Sequence, residues 1–96
     1  MPHFLVEYRE LGETEARERL RGEHIAYRKG LGQAVALAGP LLGEGDAPVG
    51  SVVIIEAADQ AAAEEVASAD PYVAAGVMGC VAVRKYRIAA MKPPQG

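Results

Sequence analysis

The stretch AVALAGPLLGEGDAPVGSVVIIEA, residues 34–57, decides the fold. It contains two apolar runs, residues 34–42 and 51–57, on either side of a loop rich in Gly, Asp and Pro at residues 43–50. Apolar runs of this length, bounded by turn-forming residues, are typical of buried strands. The stretch therefore predicts two strands joined by a hairpin loop, with Pro40 interrupting the ladder of the first.

A helix and a further strand are predicted on each side of this hairpin. Before it, residues 2–8 alternate as a strand does, and residues 14–29 carry apolar side chains at helical spacing. After it, residues 59–69 predict a second helix, and a turn at residues 70–79 leads to a fourth strand at residues 80–88. The order β-α-β-β-α-β indicates an α+β, ferredoxin-like fold, in which two helices cover one face of a four-stranded antiparallel sheet.

Composition limits the chain to one small domain and excludes several classes of partner. The 96 residues include 13 acidic and 10 basic side chains, and we expect a single domain at residues 1–90 with a Pro-containing tail at residues 91–96. An acidic chain without a basic run lacks the charge pattern that binds nucleic acid, and no apolar segment is long enough to span a membrane. Cys80 is the only cysteine, which favours a cytoplasmic location and a buried, unreactive thiol.

The sheet face that the helices leave uncovered is also predicted to be apolar. Residues 52–55 present Val and Ile to both faces of their strand, and Leu5 lies opposite Phe4 and Val6. An apolar face of this kind favours a second copy of the chain as its cover, so we expect a homodimer through the sheet faces. A monomer with a mixed outer face is the alternative.

His24 is the most informative polar residue in the sequence. It shares the inward stripe of the first helix with Leu20 and Tyr27, so its ring nitrogens need a partner inside the fold. Asp70, followed by Pro71, has the pattern of a helix N-cap, and its second carboxylate oxygen is free to accept a histidine Nδ1–H. The residues alone leave open a core histidine bonded to a backbone carbonyl and an aspartate that only caps a helix.

The sequence contains no cofactor or metal signature, but it does contain candidates for a pocket wall. The Gly-Leu-Gly at residues 30–32 follows a helix, whereas a dinucleotide-binding loop precedes one. The two histidines lie far apart and no carboxylates cluster, so neither a cofactor nor a metal ion is expected. Tyr8 and Tyr72, at the ends of elements, and Gly39 and Pro40, at the end of the second strand, are candidates for binding a substrate.

Five short motifs follow one another along almost the whole chain, namely His24-x-x-Tyr27, Ala38-Gly39-Pro40-Leu41, Gly50 leading to Val53-Ile54-Ile55-Glu56-Ala57, Ala69-Asp70-Pro71-Tyr72-Val73 with Ala75-Gly76-Val77, and Val81-x-Val83-Arg84. Together they resemble the YciI-like (YCII-related) family. The resemblance implies a ferredoxin-like fold, a dimeric α/β barrel, and a catalytic dyad of His24 and Asp70. The chain departs from the family at Arg84-Lys85-Tyr86, where members often have Arg-Pro-Trp.

The family resemblance also narrows the expected chemistry. The family includes a dehydrochlorinase that acts on a chlorinated aromatic diol, and similar folds include muconolactone isomerases and small cofactor-free monooxygenases. We therefore expect a small cofactor-independent enzyme that performs elimination or isomerisation on a small cyclic or aromatic hydroxylated substrate. His24 would act as general base or acid, and Asp70 would fix its tautomer. The alternative is a non-catalytic dimeric module that binds a small ligand or regulates a partner, with a purely structural contact between His24 and Asp70.

Overall fold

The computed structural model describes residues 1–12 and 14–92, in which helices pack on one face of an antiparallel sheet. The four strands are β1 (His3–Glu10), β2 (Val35–Leu42), β3 (Pro48–Glu56) and β4 (Met78–Tyr86). The helices are α1 (Thr14–Gly30), α2 (Gln60–Ser68) and α3 (Pro71–Ala74). The spatial strand order is β2-β3-β1-β4 with every neighbouring pair antiparallel, which confirms the ferredoxin-like βαββαβ fold.

The two helices that follow β3 begin at aspartate caps. The Asp59 side chain accepts a hydrogen bond of 2.8 Å from the backbone N–H of Ala62 and starts α2. Asp70 caps α3 in the same way, with Pro71 at the first helical position. The residues predicted as a plain turn therefore include one helical turn, since an aspartate cap followed by proline stabilises a helix start.

The ladder of β2 continues through Pro40, contrary to the predicted interruption. Pro40 pairs with Ser51, and the register shifts instead lie between Val35 and Leu37 and between Leu41 and Leu42. Strand β2 is an edge strand, and an edge strand accommodates proline because one of its sides needs no ladder hydrogen bond.

A register shift between β1 and β4 changes the surroundings of Cys80. Glu7 pairs with Ala82 and Tyr8 pairs with Cys80, which leaves Val81 without a Cα partner and 53% exposed. Cys80 itself is exposed, so the prediction of a buried thiol is wrong. The physical reason is that β4 is the second edge strand and has a neighbouring strand on one side only.

The core lies between the sheet and the helices. Its largest fully buried side chains are Phe4, Val6 and Val77, together with one charged residue, Asp70. Small alanines of the helices complete the layer, among them Ala63 and Ala67 of α2. A buried carboxylate among these apolar side chains requires hydrogen-bonding partners, which directs attention to Asp70.

The other face of the sheet is apolar at its centre. Leu5 of β1, Ile54 of β3 and Leu37 of β2 are direct partners across the ladder and so share this face. Ile54 is 7% exposed, whereas Leu37 is 50% exposed. The pattern matches the predicted open face, and its coverage by a second copy stays a prediction.

Within residues 1–12 and 14–92, no helix has the length and apolar character needed to cross a membrane. Of the predicted tail, residues 91 and 92 follow β4 as exposed, irregular chain, and residues 93–96 lie outside the described residues.

Candidate functional site

His24 and Asp70 lie in direct contact, although 46 residues separate them in the sequence. The His24 Nδ1 atom is 2.8 Å from each of the two Asp70 carboxylate oxygens. Helix α1 supplies the histidine, and the chain between α2 and α3 supplies the aspartate. The fold thus brings together the two residues on which the sequence-based hypothesis depends.

The Asp70 carboxylate is fully buried and has two further partners. The Tyr72 backbone N–H donates to Oδ1 at 3.0 Å, which is the capping bond of α3. The Arg28 Nε–H donates to Oδ2 at 3.0 Å. Both oxygens of this buried carboxylate thus accept hydrogen bonds, one of them from a guanidinium.

An ionised Asp70 fixes the tautomer of a neutral His24. A carboxylate only accepts hydrogen bonds, so Nδ1 carries the hydrogen and Nε2 carries the lone pair. No hydrogen bond to Nε2 is made by the described part of the chain, and the His24 side chain is 18% exposed. The arrangement presents an imidazole that can take a proton at Nε2.

Tyr72 holds the plane of the imidazole. The Tyr72 and His24 rings stack with centroids 4.0 Å apart and an interplanar angle of 9°. The Tyr72 hydroxyl donates to the Arg17 carbonyl at 3.0 Å, and its side chain is buried. Tyr72 therefore supports the histidine from within the core, and its predicted role in binding a substrate stays a prediction.

Tyr8 is likewise buried, and its predicted role in binding a substrate stays a prediction. Its hydroxyl donates to the Ala67 carbonyl at 2.9 Å, and its ring lies 5.2 Å below the Arg28 guanidinium carbon. Burial raises the pKa of Tyr8, and the Asp70 charge adds to this effect while the Arg28 charge opposes it. The Tyr8 hydroxyl is thus a neutral donor already engaged by the backbone.

Gly39 and Pro40 lie on opposite faces of the sheet. Pro40 pairs with Ser51, which in turn pairs with Tyr8, so these three residues share the helix-facing side. Gly39 pairs with Val52 and belongs to the open face. Pro40 is two strands from Tyr8, or roughly 10 Å, and so lies at the periphery of the site.

Arg28 and Arg17 are the residues of this region that the sequence reasoning missed as parts of a site. Arg28 follows His24 by four residues in α1, which places both side chains on one helix face. The Arg17 guanidinium carbon lies 5.5 Å from the centroid of the Tyr72 ring, and the side chain is ion-paired with Glu10. The four-residue spacing was the available signal for Arg28, whereas a basic residue in the last turn of a helix has an ordinary explanation in the helix dipole.

Among the cavities lined by the described residues, two lie at opposite ends of β1. One, of about 380 Å³, is lined by Glu10, Gly12, Arg17 and Pro48. Arg17 connects it to the dyad through the stacked rings of Tyr72 and His24. A larger cavity of about 530 Å³ is lined by residues from the start of β1 and the end of β4, including His3 and Tyr86. His3 is five residues from Tyr8 along β1, roughly 17 Å, so the smaller cavity is the one adjacent to the candidate chemistry.

No group of three or more His, Cys, Asp or Glu side chains converges on one point within residues 1–12 and 14–92. The site is built instead from one histidine, one aspartate, two arginines and two buried tyrosines.

Comparisons with known proteins identify the family. A 5-chloro-2-hydroxyhydroquinone dehydrochlorinase from Burkholderia phenoliruptrix, solved in complex with 2,5-dihydroxybenzoquinone, has a similar structure, with a TM-score of 0.73 and 25% sequence identity over 88% of this chain and 93% of that chain. No curated protein matches the sequence. The sequence model of the YCII-related domain matches residues 1–87. The chain therefore belongs to the YCII-related domain family.

Proposed function

We propose that this chain is a small cofactor-independent enzyme in which His24 transfers a proton to or from a small hydroxylated ring compound. The observation that carries the proposal is the 2.8 Å contact between His24 Nδ1 and the fully buried Asp70 carboxylate. An imidazole is the side-chain group that most commonly takes up and releases a proton near neutral pH. A buried carboxylate on Nδ1 orients the ring and stabilises the imidazolium that forms.

The reaction class is elimination or isomerisation. In an elimination, Nε2 of His24 takes a proton from the substrate, the electron pair left behind forms a new π bond, and the leaving group departs with its own bonding pair, as chloride does. In an isomerisation, the same imidazolium returns the proton at another atom of the substrate. Both reactions balance without a co-reactant, and a positioned general base contributes about 10² to 10⁴ in rate.

Two observations support a hydroxylated or halogenated aromatic ring as the substrate. The dehydrochlorinase of similar fold acts on a chlorinated hydroxyhydroquinone. In this chain, the cavity of about 380 Å³ next to Arg17 is of the size that small ligands occupy. Arg17, which lines this cavity, lies next to the Tyr72 ring that stacks on His24.

A turnover assay with chlorinated and hydroxylated benzenediols tests the proposal. Chloride release and ultraviolet absorbance would be followed for the wild-type protein, His24→Gln and Asp70→Asn. We expect His24→Gln to lower kcat by about 10² to 10⁴. The matched control is His3→Gln, since His3 is the other histidine and pairs with Glu56 at the far end of β1.

The result of this assay separates an enzyme from a binding module. If wild-type protein and His24→Gln convert every compound of the panel at the same rate, His24 is not the base and the enzyme proposal is wrong. Unchanged ligand binding in both proteins without any turnover would favour the non-catalytic module.

We also propose that the open face of the sheet binds a second copy of the chain. Leu5, Leu37 and Ile54 form an apolar row on this face, and a second identical sheet is its simplest complement. The second copy would shield from water the Leu37 side chain, which is half exposed in one chain.

A further inference from the structure

Two buried hydrogen-bond donors near Tyr8 have no partner in the described part of the chain. They are Nη2 of Arg28 and Oγ of Ser51. A buried polar group without a partner is destabilising, and folded proteins contain few of them. Two such groups in one region therefore indicate a place where an atom of a ligand binds.

Both groups lie against the same side chain, Tyr8. Ser51 is the direct cross-strand partner of Tyr8 and shares its helix-facing side. The Arg28 guanidinium carbon lies 5.2 Å from the centroid of the Tyr8 ring. The Tyr8 hydroxyl is bonded to the Ala67 carbonyl, so it is already committed elsewhere.

The Arg28 guanidinium is held in place through its Nε atom. Its Nε–H donates to Asp70 Oδ2 at 3.0 Å, and His24 Nδ1 contacts the same carboxylate at 2.8 Å. The guanidinium and the imidazole are thus neighbours on one carboxylate. A ligand atom bound at Arg28 Nη2 would therefore lie against the same side chain that shares Asp70 with His24.

The chemistry of the two donors defines what they bind. A guanidinium only donates hydrogen bonds and carries a permanent positive charge, while a serine hydroxyl donates to any acceptor. An oxygen that accepts from both is complementary to them, and a negative charge on that oxygen strengthens both bonds. A phenolate or the enolate oxygen of a hydroxyquinone has these properties.

We propose that Arg28 Nη2 and Ser51 Oγ bind an ionised ring oxygen of the substrate and so hold its ring against His24. This inference rests on the proposed function for the role of His24. The pair selects anionic ring compounds over neutral ones of the same size. It also stabilises negative charge on the ring oxygen when His24 removes a proton.

Calorimetric titration at neutral pH tests the pair. The probes are 2,5-dihydroxybenzoquinone, an acidic compound that is anionic at this pH, and hydroquinone, a neutral ring with oxygens at comparable positions. We expect wild-type protein to prefer the anion. The dissociation constant for the anion should rise about 10- to 100-fold in Arg28→Gln and about tenfold in Ser51→Ala, while that for hydroquinone stays within about twofold.

Two controls separate binding from folding and from net charge. Lys29→Gln removes the same charge from the next, exposed residue of α1 and should bind the anion as the wild-type protein does. Ser51→Ala removes one oxygen without touching Asp70, so its effect is independent of the stability of Arg28→Gln. Thermal unfolding of each variant confirms that the protein titrated is folded.

The outcomes for this inference differ from those for the proposed function. If the wild-type protein binds neither probe, or if Ser51→Ala and Arg28→Gln bind the anion as tightly as the wild-type protein, the inference is overturned. The second result would mean that a buried water satisfies the two donors. If anion binding depends on both Arg28 and Ser51, the inference holds whatever the activity of His24→Gln. Normal turnover by His24→Gln would overturn only the proposed role of His24.

Discussion

The Asp70 carboxylate is bound from three directions. It caps α3 through the Tyr72 N–H, orients His24 through Nδ1 and anchors Arg28 through Nε. Each contact supplies a hydrogen-bond donor to a carboxylate that has no exposure to water. One residue therefore serves both the local fold and the proposed chemistry, and its two roles can be separated by a substitution that keeps the cap.

Asp70→Asn is that substitution, because asparagine caps helices about as well as aspartate does. We expect it to lower the free energy of unfolding by about 3 kcal/mol, since Arg28 loses the partner that compensates its partly buried charge. Urea denaturation measures the change. The matched control is Asp59→Asn at the exposed cap of α2, and equal losses in the two variants would contradict this account.

Tyr8 makes stability depend on pH in the alkaline range. Its pKa is raised in the folded protein, chiefly by burial, whereas in the unfolded chain it is about 10. The unfolded chain therefore binds fewer protons above pH 10, and stability falls as pH rises, by up to about 1.4 kcal/mol per pH unit for this group. Between pH 9 and about 11, the free energy of unfolding should fall less steeply with pH in Tyr8→Phe than in the wild-type protein, as measured by denaturation.

Tyr86→Phe is the control for this measurement, since Tyr86 is 42% exposed. Tyr27 also has a raised pKa, mainly through burial, so part of the alkaline loss should persist in Tyr8→Phe. A slope that is identical in Tyr8→Phe and the wild-type protein would show that the Tyr8 hydroxyl ionises as easily in the folded chain as in the unfolded one.

The residues of the site differed in how far the sequence could predict them. His24 and Asp70 were predictable as candidates. Helical spacing places His24 on the inward side of its helix, and the proline that follows Asp70 indicates a helix cap. Arg28 was not, because a basic side chain in the last turn of a helix needs no partner beyond the helix itself. The free donors of Arg28 and Ser51 depend on side-chain packing between distant elements, which no local pattern encodes.

Among the elements, β3 lies too close to β1 at Gly50 to leave room for a side chain. A Cβ atom built on Gly50 would lie 2.3 Å from the Tyr8 carbonyl oxygen, so the two strands would have to separate. We expect Gly50→Ala to destabilise the protein by about 1–3 kcal/mol and to displace the neighbouring Ser51. Urea denaturation tests this, with Gly39→Ala as control because a Cβ there meets nothing within 4 Å. Equal stabilities would show that β1 and β3 tolerate the wider spacing.

The elements themselves were largely predictable, and their exceptions have physical causes. The β-α-β-β-α-β order follows from the alternation of apolar runs and turn residues. The interruption predicted at Pro40 did not occur, since strand order decides whether a proline is harmful and the sequence does not state which strand lies at an edge. The exposure of Cys80 likewise follows from the position of β4 at the other edge.

At the scale of the whole molecule, the open sheet face predicts a dimer. Sedimentation of the wild-type protein should give the mass of two chains of 10.1 kDa each. Leu37→Lys should shift the mass to that of one chain, because it places a charge in the apolar row. Ile25→Lys, on the exposed side of α1, should leave the dimer intact. A single-chain mass for the wild-type protein at micromolar concentration would rule the dimer out.

The three side-chain and backbone contacts of Asp70 have a consequence for how the chain evolves. Because the carboxylate starts a helix and compensates Arg28, selection for a folded protein alone is enough to retain it. His24 contributes one hydrogen bond and one stacked ring, so purifying selection on stability constrains it less. In a lineage that lost the activity, substitutions would accumulate at position 24 well before position 70.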